Sequence, residues 1–191
     1  MLKRVLALCT VLLWSLAALA VAARGQMGQM GNMGQMDKNQ RKSPPAKAEC
    51  SLPGGKAITV DYSSPRMRGR KIYGGLVPYG QVWRAGANEA TTFVTNADLV
   101  VGGKAVPAGS YTLFAIPGQD KWTLIISKKT GEWGIPYPGA ADDFARVDMQ
   151  VASLPVPVEN FTIAFDQNDA GCLMRLDWET TSASVRISPK K

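Results

Sequence analysis

Late in the chain, apolar side chains recur at every second position. Phe161, Ile163 and Phe165 alternate with Asn160, Thr162 and Asp166. Cys172, Met174, Leu176 and Trp178 alternate with Arg175, Asp177 and Glu179, and Ala183, Val185 and Ile187 alternate with Ser184, Arg186 and Ser188. An extended chain places successive side chains on opposite faces, so each run reads as a strand with one face buried. Earlier β-branched and aromatic runs extend the pattern: Ala57–Tyr62, Thr91–Asn96, Asp98–Val101, Ser110–Ile116, Lys121–Ser127 and Arg146–Val151. Between them stand Gly102-Gly103, Pro107-Ala108-Gly109 and Pro117-Gly118-Gln119-Asp120, residues that favour turns. After Glu49 no sustained 3.6-residue period appears, and Ala140–Phe144 fits at most one short helical turn. The expected fold is all-β: a single antiparallel β-sandwich or jelly-roll-like domain over residues 49–191.

The residues before it follow other rules. Met1-Leu2-Lys3-Arg4 is a positive start, Val5–Leu19 is an apolar run, and Ala18-Leu19-Ala20 or Ala20-Val21-Ala22 offers small residues for cleavage. Residues 1–23 are therefore expected to be a signal peptide, making the mature protein periplasmic or secreted with no remaining transmembrane segment. An uncleaved signal anchor tethering the domain to a membrane is the alternative, since Val5–Ala23 is just long enough to span one. Residues 24–48, rich in Gly, Gln, Asn, Lys and Pro, are expected to be a disordered linker. Their repeat places Met27, Met30, Met33 and Met36 three residues apart. Such thioethers suit a soft cation such as Cu(I), an oxidant sink, or a spacer in which methionine is incidental.

Composition excludes several chemistries. With no histidine in 191 residues, neither a Ser-His-Asp nor a Cys-His nucleophile can be built, nor any histidine-containing zinc site. Three cysteines fall short of a four-thiolate site. Once residues 1–23 are removed two remain, Cys50 and Cys172, an even pair expected to form one disulfide in an oxidising compartment. The net charge of +7 belongs to the leader and the linker. Residues 1–48 hold seven of the 22 basic residues and one of the 15 acidic ones, which leaves 15 against 14 in the domain. No nucleic-acid surface follows from that balance, and no cofactor is expected.

The densest polar block is Tyr62-Ser63-Ser64-Pro65-Arg66-Met67-Arg68-Gly69-Arg70-Lys71-Ile72-Tyr73-Gly74-Gly75-Leu76-Val77-Pro78-Tyr79-Gly80-Gln81-Val82-Trp83-Arg84-Ala85-Gly86-Ala87-Asn88-Glu89-Ala90-Thr91. Together with Pro107–Phe114, Ile116-Pro117-Gly118 and Trp133-Gly134, it resembles the bacterial exported family known as domain of unknown function 2911, over roughly Ala57 to Ile187. The resemblance implies an exported β-sandwich-like domain and transfers no catalytic residue.

Within the block, Arg66, Arg68 and Arg70 would share a face if the segment were extended. Arg66, Arg70 and Arg84, with Asn88 and Glu89, are the candidate ligand-binding residues, because converging guanidinium groups grip carboxylate, phosphate or sulfate. The competing expectation is structural: Arg66, Arg70 or Arg84 pairs with Glu89 or Asp61 and pins a long loop, with Tyr73, Tyr79 and Trp83 as anchors. Trp133 and Tyr137 form an aromatic loop suited either to sugar or to anchoring. Asp166, Asn168 and Asp169 lack a full calcium-loop pattern and read as a hairpin turn.

These features point to a non-catalytic exported module that binds a small anionic or sugar-like ligand, or a protein partner. A carboxylate-based hydrolase using Glu89 with Asp61, or Asp142 with Asp143, is the alternative, and a Cu(I)-handling protein is the third reading.

Overall fold

Period-two patterning becomes nine strands in the computed structural model, which describes residues 38–190. They are β1 (Pro45–Leu52), β2 (Lys56–Ser63), β3 (Thr91–Thr95), β4 (Leu99–Val101), β5 (Lys104–Val106), β6 (Gly109–Ile116), β7 (Lys121–Ser127), β8 (Asp143–Asn168) and β9 (Gly171–Pro189). Single 3-10 turns occur at Lys38–Gln40 and Ala140–Asp142. No helix among the described residues is long and apolar enough to cross a membrane. Every strand pair is antiparallel, and the order is β1-β2-β3-β6-β7-β8-β9-β4-β5.

The ladder is one continuous sheet rather than two, and the reason lies in β8 and β9. Two expected strands fuse in each of them. Between the pairs Ser153↔Thr181 and Thr162↔Asp177, β8 advances nine residues while β9 advances four. Pro155 and Pro157 have no N–H to give to a ladder, so this stretch of β8 bulges out of register and bends the ribbon. On β9 the inward positions switch from even numbers (Cys172, Met174, Leu176, Trp178) to odd ones (Ala183, Val185, Ile187), and Glu179 lies between them with a left-handed φ of 55°. The ribbon folds back far enough that a Cβ on Gly171, at the start of β9, would lie 2.1 Å from the Ile187 carbonyl oxygen near its end.

Folding the ribbon also brings β8 beside the chain leaving β2. The Phe161 N–H donates to Pro65 O (2.8 Å) and the Met67 N–H to Glu159 O (2.8 Å). Ser64 Oγ donates to Phe161 O (2.6 Å), and the Ile163 N–H donates to the Tyr62 hydroxyl (3.1 Å). Cys50 on β1 and Cys172 on β9 form a disulfide across 122 residues of sequence, joining strands far apart in sheet order.

The inner face carries Ile58, Val60, Phe93, Leu113, Leu124, Ile126, Met174 and Leu176 around a set of packed rings. Trp83 stacks on Trp178 (5.9 Å, 20°) and meets Phe161 edge-on at 5.0 Å, while Tyr73 meets Trp122 edge-on at 4.7 Å. Both indole donors of the Trp83–Trp178 stack are satisfied, by Gly86 O (3.2 Å) and Glu159 O (3.1 Å).

Tyr73 differs. It is 3% exposed, and its hydroxyl has no hydrogen-bond partner among the described residues. Burial, reinforced by Glu179, Asp177 and Tyr79, holds its pKa well above the ordinary value. The native state therefore keeps this proton where the unfolded chain sheds it, and stability falls as the pH rises above about 10. Tyr73→Phe is expected to stabilise the fold at neutral pH by about 1 kcal/mol, by removing an unsatisfied polar group, and to flatten the alkaline loss. Urea unfolding of both proteins from neutral pH to about pH 11 tests this. An unchanged free energy and an unchanged alkaline slope would show that the hydroxyl finds a partner.

The folded part begins earlier than composition suggested. The expected linker was to reach residue 48, yet β1 starts at Pro45 and pairs with β2 from its first residue, Pro45↔Ser63. Low apolar content misled there because an edge strand needs few buried side chains; only Ala48, Cys50 and Leu52 of β1 are buried. Met27, Met30, Met33 and Met36 lie outside the described residues.

Candidate functional site

The connection from β2 to β3, residues 64–90, is far longer than the loops usual in a β domain, and loops of that length are commonly functional. Apolar anchors hold it down: Ile72, Tyr73 and Val77 are buried, while Trp83 exchanges both backbone hydrogen bonds with Ala115 of β6 (2.8 Å each). Tyr79, expected as a third ring anchor, is 41% exposed.

The three closely spaced arginines share no face. The Arg70 N–H donates to Met67 O (3.1 Å) and Arg68 adopts φ 51°, so the segment turns instead of extending. Arg66 donates to Ser64 O (3.2 Å) and Oγ (2.8 Å), and Arg70 donates to Met67 O (3.0 Å) and Arg66 O (2.7 Å). Both guanidinium groups thus close their own turn. Arg84 donates through Nη1 to Asn88 O (2.7 Å) and Trp133 O (3.2 Å), and burial draws its pKa below the usual guanidinium value. Arg66, Arg70 and Arg84 therefore serve as clamps on backbone carbonyls, and neither Glu89 nor Asp61 is their partner.

Glu89 instead receives Arg41 Nη1 on both oxygens (2.8 and 2.9 Å). Asn88 Nδ2 donates to Ser43 O (2.9 Å), and Arg68 Nη2 donates to Lys42 O (3.3 Å). Arg41, Lys42 and Ser43 belong to the stretch whose composition reads as a linker. Nothing local in the sequence marks them, because their partners lie 26 to 48 residues away.

Two motifs far apart in sequence meet here. The Ala90 N–H donates to Glu132 O (3.2 Å), and Arg84 reaches Trp133 O as described. Gly134, at φ 86°, makes the approach possible; a Cβ there would sit 3.0 Å from Arg84 Cβ and 3.2 Å from Ala90 Cβ. The backbone around Trp133 is thereby tied down while its ring stays 55% exposed, with Ile135 64% exposed two residues on. Tyr137 takes the anchoring role. Its ring meets the buried Phe114 at 5.1 Å, and its hydroxyl donates to Asp143 Oδ1 (2.5 Å).

Of the carboxylates considered for catalysis, Asp143 also accepts from Arg146 (2.7 Å), and the Asp142 carbonyl receives the Lys128 N–H (2.8 Å). Asp61 is exposed on β2. In the Asp166–Asp169 turn, the Ala170 N–H donates to Asn168 Oδ1 (2.9 Å), as a hairpin turn requires. Among the described residues no group of three or more Cys, Asp or Glu side chains is placed to hold a metal. Two clefts of about 330 and 240 Å³ share Arg186 as a wall, and a third of about 440 Å³ borders Ser51 and Asp169; none of the three includes residues 64–90.

A family model described as a protein of unknown function, DUF2911, matches residues 43–187, from Ser43 to Ile187 on β9. The chain belongs to the DUF2911 family. The match takes in the arginine block and the Trp133-Gly134 pair, which the DUF2911 fold brings together through Arg84. No curated protein and no solved structure matches the chain.

Proposed function

We propose that this DUF2911 protein is an exported, non-catalytic binding module that takes a sugar-like ligand on its Trp133–Tyr137 loop. The observation that carries the reading is an exposed indole on an immobilised backbone: Trp133 is 55% exposed, while Arg84, Ala90 and Gly134 fix the chain on either side of it. A ring held this way loses little conformational entropy on contact and offers a flat apolar face to the C–H side of a sugar. Ile135 widens that face. A free anion is the less favoured ligand, because Arg66, Arg70 and Arg84 already donate to carbonyls of the chain.

Export is supported by the apolar leader of residues 1–23 and by the Cys50–Cys172 disulfide, which persists in oxidising compartments. The test is isothermal titration of the wild type and Trp133→Ala against a panel of envelope and plant-type oligosaccharides. Loss of the stacking face is expected to weaken binding at least about tenfold, on the order of 1.4 kcal/mol, without lowering the melting temperature. Absence of any binder in the panel, or equal affinity in the variant, would sink the reading.

A further inference from the structure

Four consecutive residues lie along the arginine block, and each is held by it. Arg41 ion-pairs with Glu89, the Lys42 carbonyl receives Arg68, the Ser43 carbonyl receives Asn88, and the Pro44 carbonyl receives the Ser64 N–H (2.9 Å). Three of these contacts read only the backbone of a segment bent at residues 41–43, and the fourth selects a cation. Backbone hydrogen bonds supply affinity and side-chain contacts supply specificity when a protein holds a peptide this way.

A second observation comes from the block's own conformation. Of the four non-glycine residues with positive φ among the described residues, three are Arg68 (51°), Ala85 (48°) and Asn88 (55°). Two of these carry the side chains that grip the strap. Left-handed backbone at such residues is costly and persists where a ligand clamp requires it.

We propose that the face formed by Ser64, Arg68, Asn88 and Glu89 is a receptor for a peptide that bears an arginine and bends as residues 41–43 do, filled in cis by residues 41–44. The strap competes with any peptide added in trans at an effective concentration of roughly millimolar order, so the free protein keeps the face covered. The proposal is independent of the Trp133 loop as a ligand site, and Trp133→Ala leaves it unaffected.

The test uses the full chain and a fluorescent peptide, Arg-Lys-Ser-Pro-Pro-Ala, copied from residues 41–46. Arg41→Glu sets like charges against each other in the strap contact and opens the face. The peptide is expected to bind this variant at least about tenfold more tightly than the wild type. Adding Glu89→Arg to Arg41→Glu abolishes that binding. Equal binding by wild type and Arg41→Glu, including none by either, overturns the proposal, as does indifference to Glu89→Arg.

A second readout needs no added peptide. Trypsin is expected to cut after Lys42 at least about tenfold faster in Glu89→Gln than in the wild type, with cutting after the exposed loop residue Lys129 unchanged. Equal rates at Lys42 in the two proteins overturn the proposal.

Discussion

Replacing Cys50 and Cys172 together with alanine is expected to lower the free energy of unfolding by about 4 kcal/mol, because the bond closes a long loop and so restricts the unfolded chain. The two residues are 122 apart in sequence, and both are nearly inaccessible, at 1% and 3% exposure. For a domain of this size the loss corresponds to roughly 10 °C or more in melting temperature. Urea unfolding of the double variant, beside the wild type with and without a reductant, measures it. A loss below about 1 kcal/mol would mean that the hydrogen bonds between Tyr62–Met67 and Glu159–Ile163 hold β1 and β2 to the β8–β9 ribbon without help from the disulfide.

Gly171→Ala is expected to cost about 3 kcal/mol or more, since the added methyl meets backbone that cannot swing aside. Its Cβ would lie 2.1 Å from Ile187 O and 2.9 Å from Ser188 Cα, in a backbone already at φ 145°. Gly139→Ala is the control. That residue also has a φ, 114°, that side-chain-bearing residues avoid, with nothing within 4 Å of the new atom, so it is expected to cost only about 1–2 kcal/mol, the strain of the backbone alone. Thermal and urea unfolding of the two variants separates the contributions. Equal losses would show that the two ends of β9 do not press together, and would remove the main support for a ribbon folded in two.

Much of this fold was legible in the chain. The alternation at 161–165, 172–178 and 183–187 identified the buried faces correctly, because burial of one face of a strand leaves a local period that needs no partner to be seen. The pairing of Cys50 with Cys172 was legible because they are the only cysteines outside the apolar N-terminal run that holds Cys9. The block from Arg66 to Glu89 stands out in the sequence by its density of arginine, glycine and aromatic residues, but the partner of each guanidinium does not. An arginine that clamps a carbonyl looks the same in sequence as one that grips a ligand, because the acceptor is backbone and leaves no residue type behind.

What the sequence determined by itself was the class of protein: an antiparallel β fold, with no histidine chemistry and only two cysteines beyond residue 9. These follow from composition and from a two-residue period, both properties of neighbours along the chain. Only the tertiary structure decided that the strands form one bent sheet, that Arg41 rather than a block arginine holds Glu89, and that Gly134 lets Arg84 reach the Trp133 carbonyl. The β8–β9 fold and the strap are contacts between residues tens of positions apart. Such contacts are set by where bulges and prolines turn the ladder, and no local pattern records which distant residue the turn will bring near.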